Sequence, residues 1–211
     1  MNLHLGRNKF SCIGSGTFLK VANLTKRPVD GGEPCRFCRP VATIFTSERC
    51  DTPRRYVFCC TMKIYLGFTV AGSRSSIEAA KKILRVLQSL GHEVLTSHLV
   101  SDDAWEADRS VPPQKIFARD MNWLAQCDLF VAEVTGSSFG LGFETGYLLG
   151  ATSKKTILFF ERDAEHRISL LITGNTHTNC VLAPYSHLGE LEELVGRHVS
   201  AAELSARSDF T

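Results

Sequence analysis

Residues 63–91, KIYLGFTVAGSRSSIEAAKKILRVLQSLG, pass from an apolar run through a turn rich in Gly and Ser into a segment whose apolar residues recur every three to four positions. That is the pattern of a strand, a turn and a helix. Ser75-x-x-Glu78 reads as a capping box at the helix start, and Gly91 falls where a left-handed C-cap belongs. The alternation continues along the chain. HEVLTSHLV (92–100) reads as a second strand, PPQKIFARDMNWLAQC (112–127) as a helix opened by prolines, and DLFVAEV (128–134) as a strand buried on both faces. GFETGYLLGA (142–151) reads as a helix and KTILFF (155–160) as a strand. A short helix is expected near HRISLLITG (166–174), then a strand at CVLAP (180–184) and a closing helix over HLGELEELVGRHVSAAEL (187–204).

Five strands separated by helices predict an α/β protein. The expected fold is a three-layer Rossmann-like or flavodoxin-like arrangement with a five-stranded parallel sheet and right-handed crossovers. Such sheets bind ligands beyond the carboxyl ends of their strands, near a switch in strand order. The first and third strands lead into AGSRSS and TGSSFGLGFETG, the most glycine-rich turns of this region.

Within the second turn Glu144 follows Gly140 and Gly142 and is expected in the first turn of a helix. There, unpaired N–H groups and the helix dipole favour an ionised carboxylate suited to act as a nucleophile or a base. Acidic residues are common in first turns, so Glu144 alone does not define a site. The missing GxGxxG after the first strand, and the missing GxxxxGK[ST], argue against nicotinamide and ATP sites.

Asp120 is a second signal. In QKIFARDMNWLAQC the apolar stripe runs through Ile116, Phe117, Met121 and Leu124, and Asp120 falls where it expects an apolar residue. An inward carboxylate is either paired with a base such as Arg119 or Arg74, or set at a cleft. In the cleft case Asp120 and Glu144 form an acid and nucleophile pair of the kind that cleaves glycosidic bonds.

Around them, Ser73, Ser75 and Ser76 after the first strand and Ser137 and Ser138 after the third accompany glycines, Gly72, Gly140 and Gly142 among them, whose N–H groups suit a phosphate, with Arg74 as a cation and Thr69 as a further candidate; loop composition explains either turn alone equally well. Tyr65 on the first strand and His98 at the end of the second are further candidates, each with an ordinary core role as the alternative. Glu133 is another acid in an apolar strand, ranked below Asp120.

Composition bounds the rest. The chain has 211 residues with 44% hydrophobic and 22% charged residues, and no apolar run approaches the roughly 18 residues of a membrane span. Residues 1–61 carry ten Lys/Arg against four Asp/Glu, a net of +6, whereas residues 62–211 carry fourteen against eighteen, a net of −4. The acidic part lacks a basic stripe, which argues against nucleic acid as a partner. Cys127 and Cys180 stand apart from six cysteines in the first part, so a reducing, cytoplasmic setting is expected, with the nucleus or an organelle as alternatives.

The leader, residues 1–61, has three readings. It is a disordered, basic, Cys-containing extension or upstream artefact before a natural start at Met62; or a transit peptide, because residues 1–29 hold five basic residues and no acidic one; or, through Cys35-Arg36-Phe37-Cys38, part of a zinc site. The catalytic domain is expected at residues 62–211.

KIYLGFTVAGSR, RDMNWLAQCDLFVAEVTGSSFGLGFETG and HRISLLITG resemble the nucleoside 2-deoxyribosyltransferase superfamily, most closely its 2-deoxynucleoside 5-phosphate N-hydrolases. The resemblance covers residues 62–190 and none of 1–61. It implies a glutamate nucleophile at Glu144, an aspartate acid at Asp120 and a tyrosine at Tyr65 that positions nucleophile and sugar. No metal or organic cofactor is implied. The substrate implied is a small deoxynucleotide, cleaved through a glycosyl-enzyme to free base and 2-deoxyribose 5-phosphate. Ser138 stands where the transferases look to carry an acid, which favours the phosphate-binding branch over base exchange on unphosphorylated deoxynucleosides. Ser169 matches a serine used for phosphate across a dimer interface, which implies a homodimer. The chain departs from the hydrolases at TVAGSR, where they tend to have SIRGGR, so Ala71 replaces an arginine. A nucleotide-binding module without turnover is the reading from another class.

Overall fold

The computed structural model describes residues 61–136 and 138–208, and the leader readings lie outside these residues. β1 (Lys63–Gly67), β2 (Glu93–Val94), β3 (Leu129–Glu133), β4 (Lys155–Glu161) and β5 (Cys180–Tyr185) form one sheet in the order β2-β1-β3-β4-β5. Every pairing is parallel. The five-stranded α/β architecture expected from the sequence is the one observed.

Residue alternation along the strands divides the core in two. Ile64, Leu66, Leu129, Val131, Ile157 and Phe159 face α1 (Ile77–Ser89) and α6 (Leu191–Ser208). Tyr65, Phe130, Ala132, Leu158 and Phe160 face the opposite side, where α3 (Pro113–Gln126) contributes Leu124 and α4 (Phe139–Ala151) contributes Leu141 and Leu148. A parallel strand buried on both faces has no polar side to show. All five residues of β3 are accordingly buried.

Several boundaries differ from expectation. The second strand is only two residues long. Thr96 Oγ1 accepts from the Leu66 N–H and donates to the Leu66 carbonyl, both at 2.8 Å, so a side chain takes the place of the next ladder bonds. The chain then turns through a 3₁₀ segment, Ser97–Val100, and a short helix, α2 (Ala104–Arg109), which the sequence reading did not include. The capping box is not formed: Ser76 occupies the N-cap of α1, and its hydroxyl donates to Glu133 instead. Glu133, fully buried, also accepts from the Thr135 hydroxyl and from Tyr185 Oη at 3.0 Å. It therefore fastens strand ends and is not a free group for substrate. The C-cap holds as expected, with Gly91 at φ +85° and its N–H on Gln88 O.

The glycine-rich turns after β1 and β3 meet. A Cβ on Gly136 would lie 1.8 Å from the Ser73 carbonyl oxygen and 3.2 Å from Thr69 Cγ2, so only a residue without one lets the two turns approach. Gly136→Ala is expected to cost about 1–3 kcal/mol, in the range of core overpacking. Urea unfolding of the variant checks this, with a midpoint equal to the native one as the contrary result.

Candidate active site

Alternation on β1 sends Tyr65 to the α3 and α4 side, where its ring stacks on Phe130 with centroids 5.5 Å apart. Its hydroxyl donates to Glu144 Oε1 at 2.7 Å. Burial and the adjoining Glu144 carboxylate push the phenol pKa far upward, so Tyr65 stays protonated and acts as a donor.

The position of Glu144 corrects the sequence expectation. The helix begins at Phe139 and not at Gly142; Ser138 is its N-cap, with Oγ accepting from the Leu141 N–H at 3.3 Å. Gly140 and Gly142 are thus helical, and Glu144 lies in the second turn, beyond the unpaired N–H groups. It is held beside the buried stripe Leu141, Thr145 and Leu148. Burial, and not the helix end, dominates its charge. Burial raises its pKa, the Tyr65 hydrogen bond lowers it, Asp120 raises it and Arg119 lowers it, leaving it at about 7.

Asp120 projects from α3 to the same side. Both alternatives weighed from the sequence hold together: Asp120 Oδ1 accepts from Arg119 Nε at 2.8 Å, and Asp120 still reaches a cleft. That cleft has a volume of ≈ 560 Å³ and is lined by Asp120, Glu144, Asp108, Ile116, Met121 and Phe143 among others. Three carboxylates, those of Asp108, Asp120 and Glu144, and an apolar wall share one space, so a flat, weakly polar group can be held beside acidic side chains. Phe117, assigned to the inward stripe, is 59% exposed. Its ring lies 6.4 Å from that of Phe143, at the rim of the cleft.

The turn after β1 is built by its own polar groups. Thr69 Oγ1 accepts from the Gly72 N–H at 2.8 Å, and Ser73 Oγ donates to Ser75 Oγ at 3.2 Å. Arg74 donates to the carbonyls of Thr69, Leu99 and Ser101 and lies over the Phe68 ring at 5.1 Å. Its guanidinium ties this turn to the 3₁₀ segment. Thr69, Gly72, Ser73 and Arg74 do not line the cleft.

His98 lies in the 3₁₀ segment and not at a strand end. Its ring is 5.5 Å from Trp123, its Nε2 is buried without a partner, and burial pushes its pKa down. Ser169 is exposed before α5 (Leu170–Thr173), away from the cleft lining, and its carbonyl accepts from the Ile172 N–H.

Asp108 and Arg109 line the cleft but were not singled out from the sequence. They belong to the six-residue α2, too short to show an amphipathic stripe. Among the described residues, no cluster of three or more His, Cys, Asp or Glu is placed to hold a metal. No described helix is long and apolar enough to cross a membrane.

The family model for nucleoside 2-deoxyribosyltransferase matches residues 64–198. A protein of Thermofilum pendens, carrying a provisional 2'-deoxynucleoside 5'-phosphate N-hydrolase name, is 37% identical over 132 residues, 63% of this chain and 91% of that one. The 5-hydroxymethyl-dUMP N-hydrolase of Esox lucius is 33% identical over 116 residues, 54% of this chain and 79% of that one. A solved structure, the CMP N-glycosidase BcmB of Clostridium botulinum, is similar with a TM-score of 0.48 at 22% identity, over 64% of this chain and 98% of that one.

Proposed function

The chain belongs to the nucleoside 2-deoxyribosyltransferase family, and from that premise we propose that it hydrolyses the N-glycosidic bond of 2-deoxynucleoside 5-monophosphates. The observation that carries this reading is the Tyr65–Glu144 hydrogen bond of 2.7 Å beside a cleft that also holds Asp120. The names of the similar N-hydrolases support the same bond and the same class of substrate.

In the proposed reaction a Glu144 carboxylate oxygen attacks the anomeric carbon as the carbon–nitrogen bond breaks. The electron pair leaves with the base, which takes the proton that Asp120 carries on Oδ2 in the reacting complex while Oδ1 stays on Arg119. Asp120 Oδ1 is held by Arg119, leaving Oδ2 for the leaving group. Asp120, then a carboxylate, accepts a proton from water as the water oxygen attacks the same carbon and releases Glu144. Tyr65 holds Glu144 in place and stabilises its charge. The products are free base and 2-deoxyribose 5-phosphate, and no step calls on a metal or organic cofactor.

Thr69, Gly72, Ser73, Arg74 and Ser138, which stand outside the cleft lining, are proposed to meet the phosphate where it extends past that lining, with Gly140 and Gly142 giving close approach and His98 beside the base. Ser138 adds no negative charge there, which favours a phosphorylated substrate. A homodimer is proposed to bring in Ser169 from a second copy. The exposed Phe139, Phe143, Leu170 and Leu171 support it, because apolar surface of that kind favours burial against a partner. The free cysteines Cys127 and Cys180 are in keeping with a cytoplasmic setting, and the proposed catalytic domain is residues 62–211.

Product analysis tests the reading. The protein is incubated with ribo- and deoxynucleoside monophosphates, with unphosphorylated deoxynucleosides, and with a second free base. The expected result is base plus 2-deoxyribose 5-phosphate from deoxynucleoside monophosphates alone. Base exchange that does not depend on the phosphate would reject it in favour of a transferase.

A further inference from the structure

Arg119 precedes Asp120 on α3 and engages three neighbours at once. Its Nε donates to Asp120 Oδ1 at 2.8 Å, its Nη1 donates to Asp108 Oδ1 at 3.1 Å, and its guanidinium lies 4.9 Å from the Trp123 ring centroid. Asp108 comes from α2 and Asp120 from α3, and both line the cleft. One planar fork thus sets the positions of two wall carboxylates on different helices, which a point charge on a flexible stem cannot do as well. Trp123 fixes the plane of the fork from its face.

We propose that Arg119 is a positioning residue of this active site, aiming Asp120 into the cleft it shares with Glu144 and bringing its own positive charge to the wall formed by Asp108 and Asp120. This rests on the reading of Glu144 as nucleophile.

The titratable and charged groups around the pair are Tyr65 from β1, His98 from the 3₁₀ segment, Asp108 and Arg109 from α2, and Arg119 and Asp120 from α3. Arg119 acts on several of them. It counters the rise in the Glu144 and Tyr65 pKa values and adds to the fall at His98. A neutral side chain at 119 removes that charge and leaves Asp108 and Asp120 without their shared counterion. Both changes oppose the Glu144 carboxylate.

The test compares Arg119→Met, Arg119→Lys and the native full chain. kcat and KM for a deoxynucleoside monophosphate are followed across neutral pH, and the Glu144 carboxyl carbon is titrated by carbon-13 NMR, assigned with Glu144→Gln. Arg119→Met is expected to move the acid limb of kcat/KM, and the Glu144 titration with it, upward by about one pH unit. Arg119→Lys is expected to keep the limb near its native position while kcat falls about ten- to a hundredfold from loss of the fork, with KM changing less.

An unmoved limb and titration in a folded Arg119→Met would overturn the proposal, as would native kcat in Arg119→Lys, which decides the matter if the Met variant does not fold. The NMR titration needs no turnover. If the native protein hydrolyses nothing, the functional reading fails, while the Glu144 titration in Arg119→Met still decides the role of Arg119.

Discussion

Glu144→Gln is expected to lower kcat for base release by on the order of 10⁴-fold or more, the scale seen when a covalent nucleophile is removed. Gln keeps a carbonyl oxygen to accept the Tyr65 hydroxyl, so the loss should come without a change in fold. The native enzyme should show the corresponding acidity. The proposed nucleophile is the ionised form of Glu144, and burial raises its pKa to about 7, so kcat/KM should fall as pH drops below that value. Steady-state kinetics on the variant, with circular dichroism to confirm folding, provide the measurement. Native turnover by Glu144→Gln would remove this carboxylate from the chemistry, and with it the glycosyl-enzyme.

Asp120→Asn should lower kcat by about 10²- to 10⁴-fold, the usual contribution of a positioned proton donor. The Asn carbonyl can still accept from Arg119 Nε, so the change is aimed at the proton and not at the clamp. The diagnostic is the leaving group. A deoxynucleotide with an electron-poor base departs with little help, and the deficit of the variant should shrink on that substrate. An equal deficit on good and poor leaving groups would mean that Asp120 positions the substrate and does not protonate it.

The sheet and its outer helices were legible because each carries a local period and a local stop. Gly91 ends α1 as its place in the sequence implied, and the apolar run of β3 is buried on both faces as a central parallel strand must be. What could not be read depends on bonds between distant residues. Nothing in HEVLTSHLV announces that Thr96 will take the backbone groups of Leu66 and end the strand after Val94. Nor does SRSS reveal that the Ser76 hydroxyl is committed to Glu133, 57 residues away. At the candidate site, Asp120 was visible as a break in an apolar stripe. Glu144 stands out in the sequence as the acid of a glycine-rich turn, although the helix starts at Phe139 and the residue lies one turn deeper than that reading implies. Counted from Ser138, Glu144 falls three residues after Leu141 and four before Leu148, but α4 is apolar nearly all round and offers no stripe for an acid to interrupt, so the periodicity that found Asp120 has no hold on Glu144. Asp108 carried no such signal.

The proton on the partly buried Glu144 also links the stability of the fold to pH. Its pKa rises from 4.5 to about 7 on folding, so between those values the folded protein keeps a proton that the unfolded chain gives up. This group's contribution to stability is therefore fully present in acid and is lost as pH rises through about 7. In the proposed reaction the attacking protonation state is the one in which the native state is least favoured by this residue, so a substrate that relieves the charge would return stability to the fold in the act of binding.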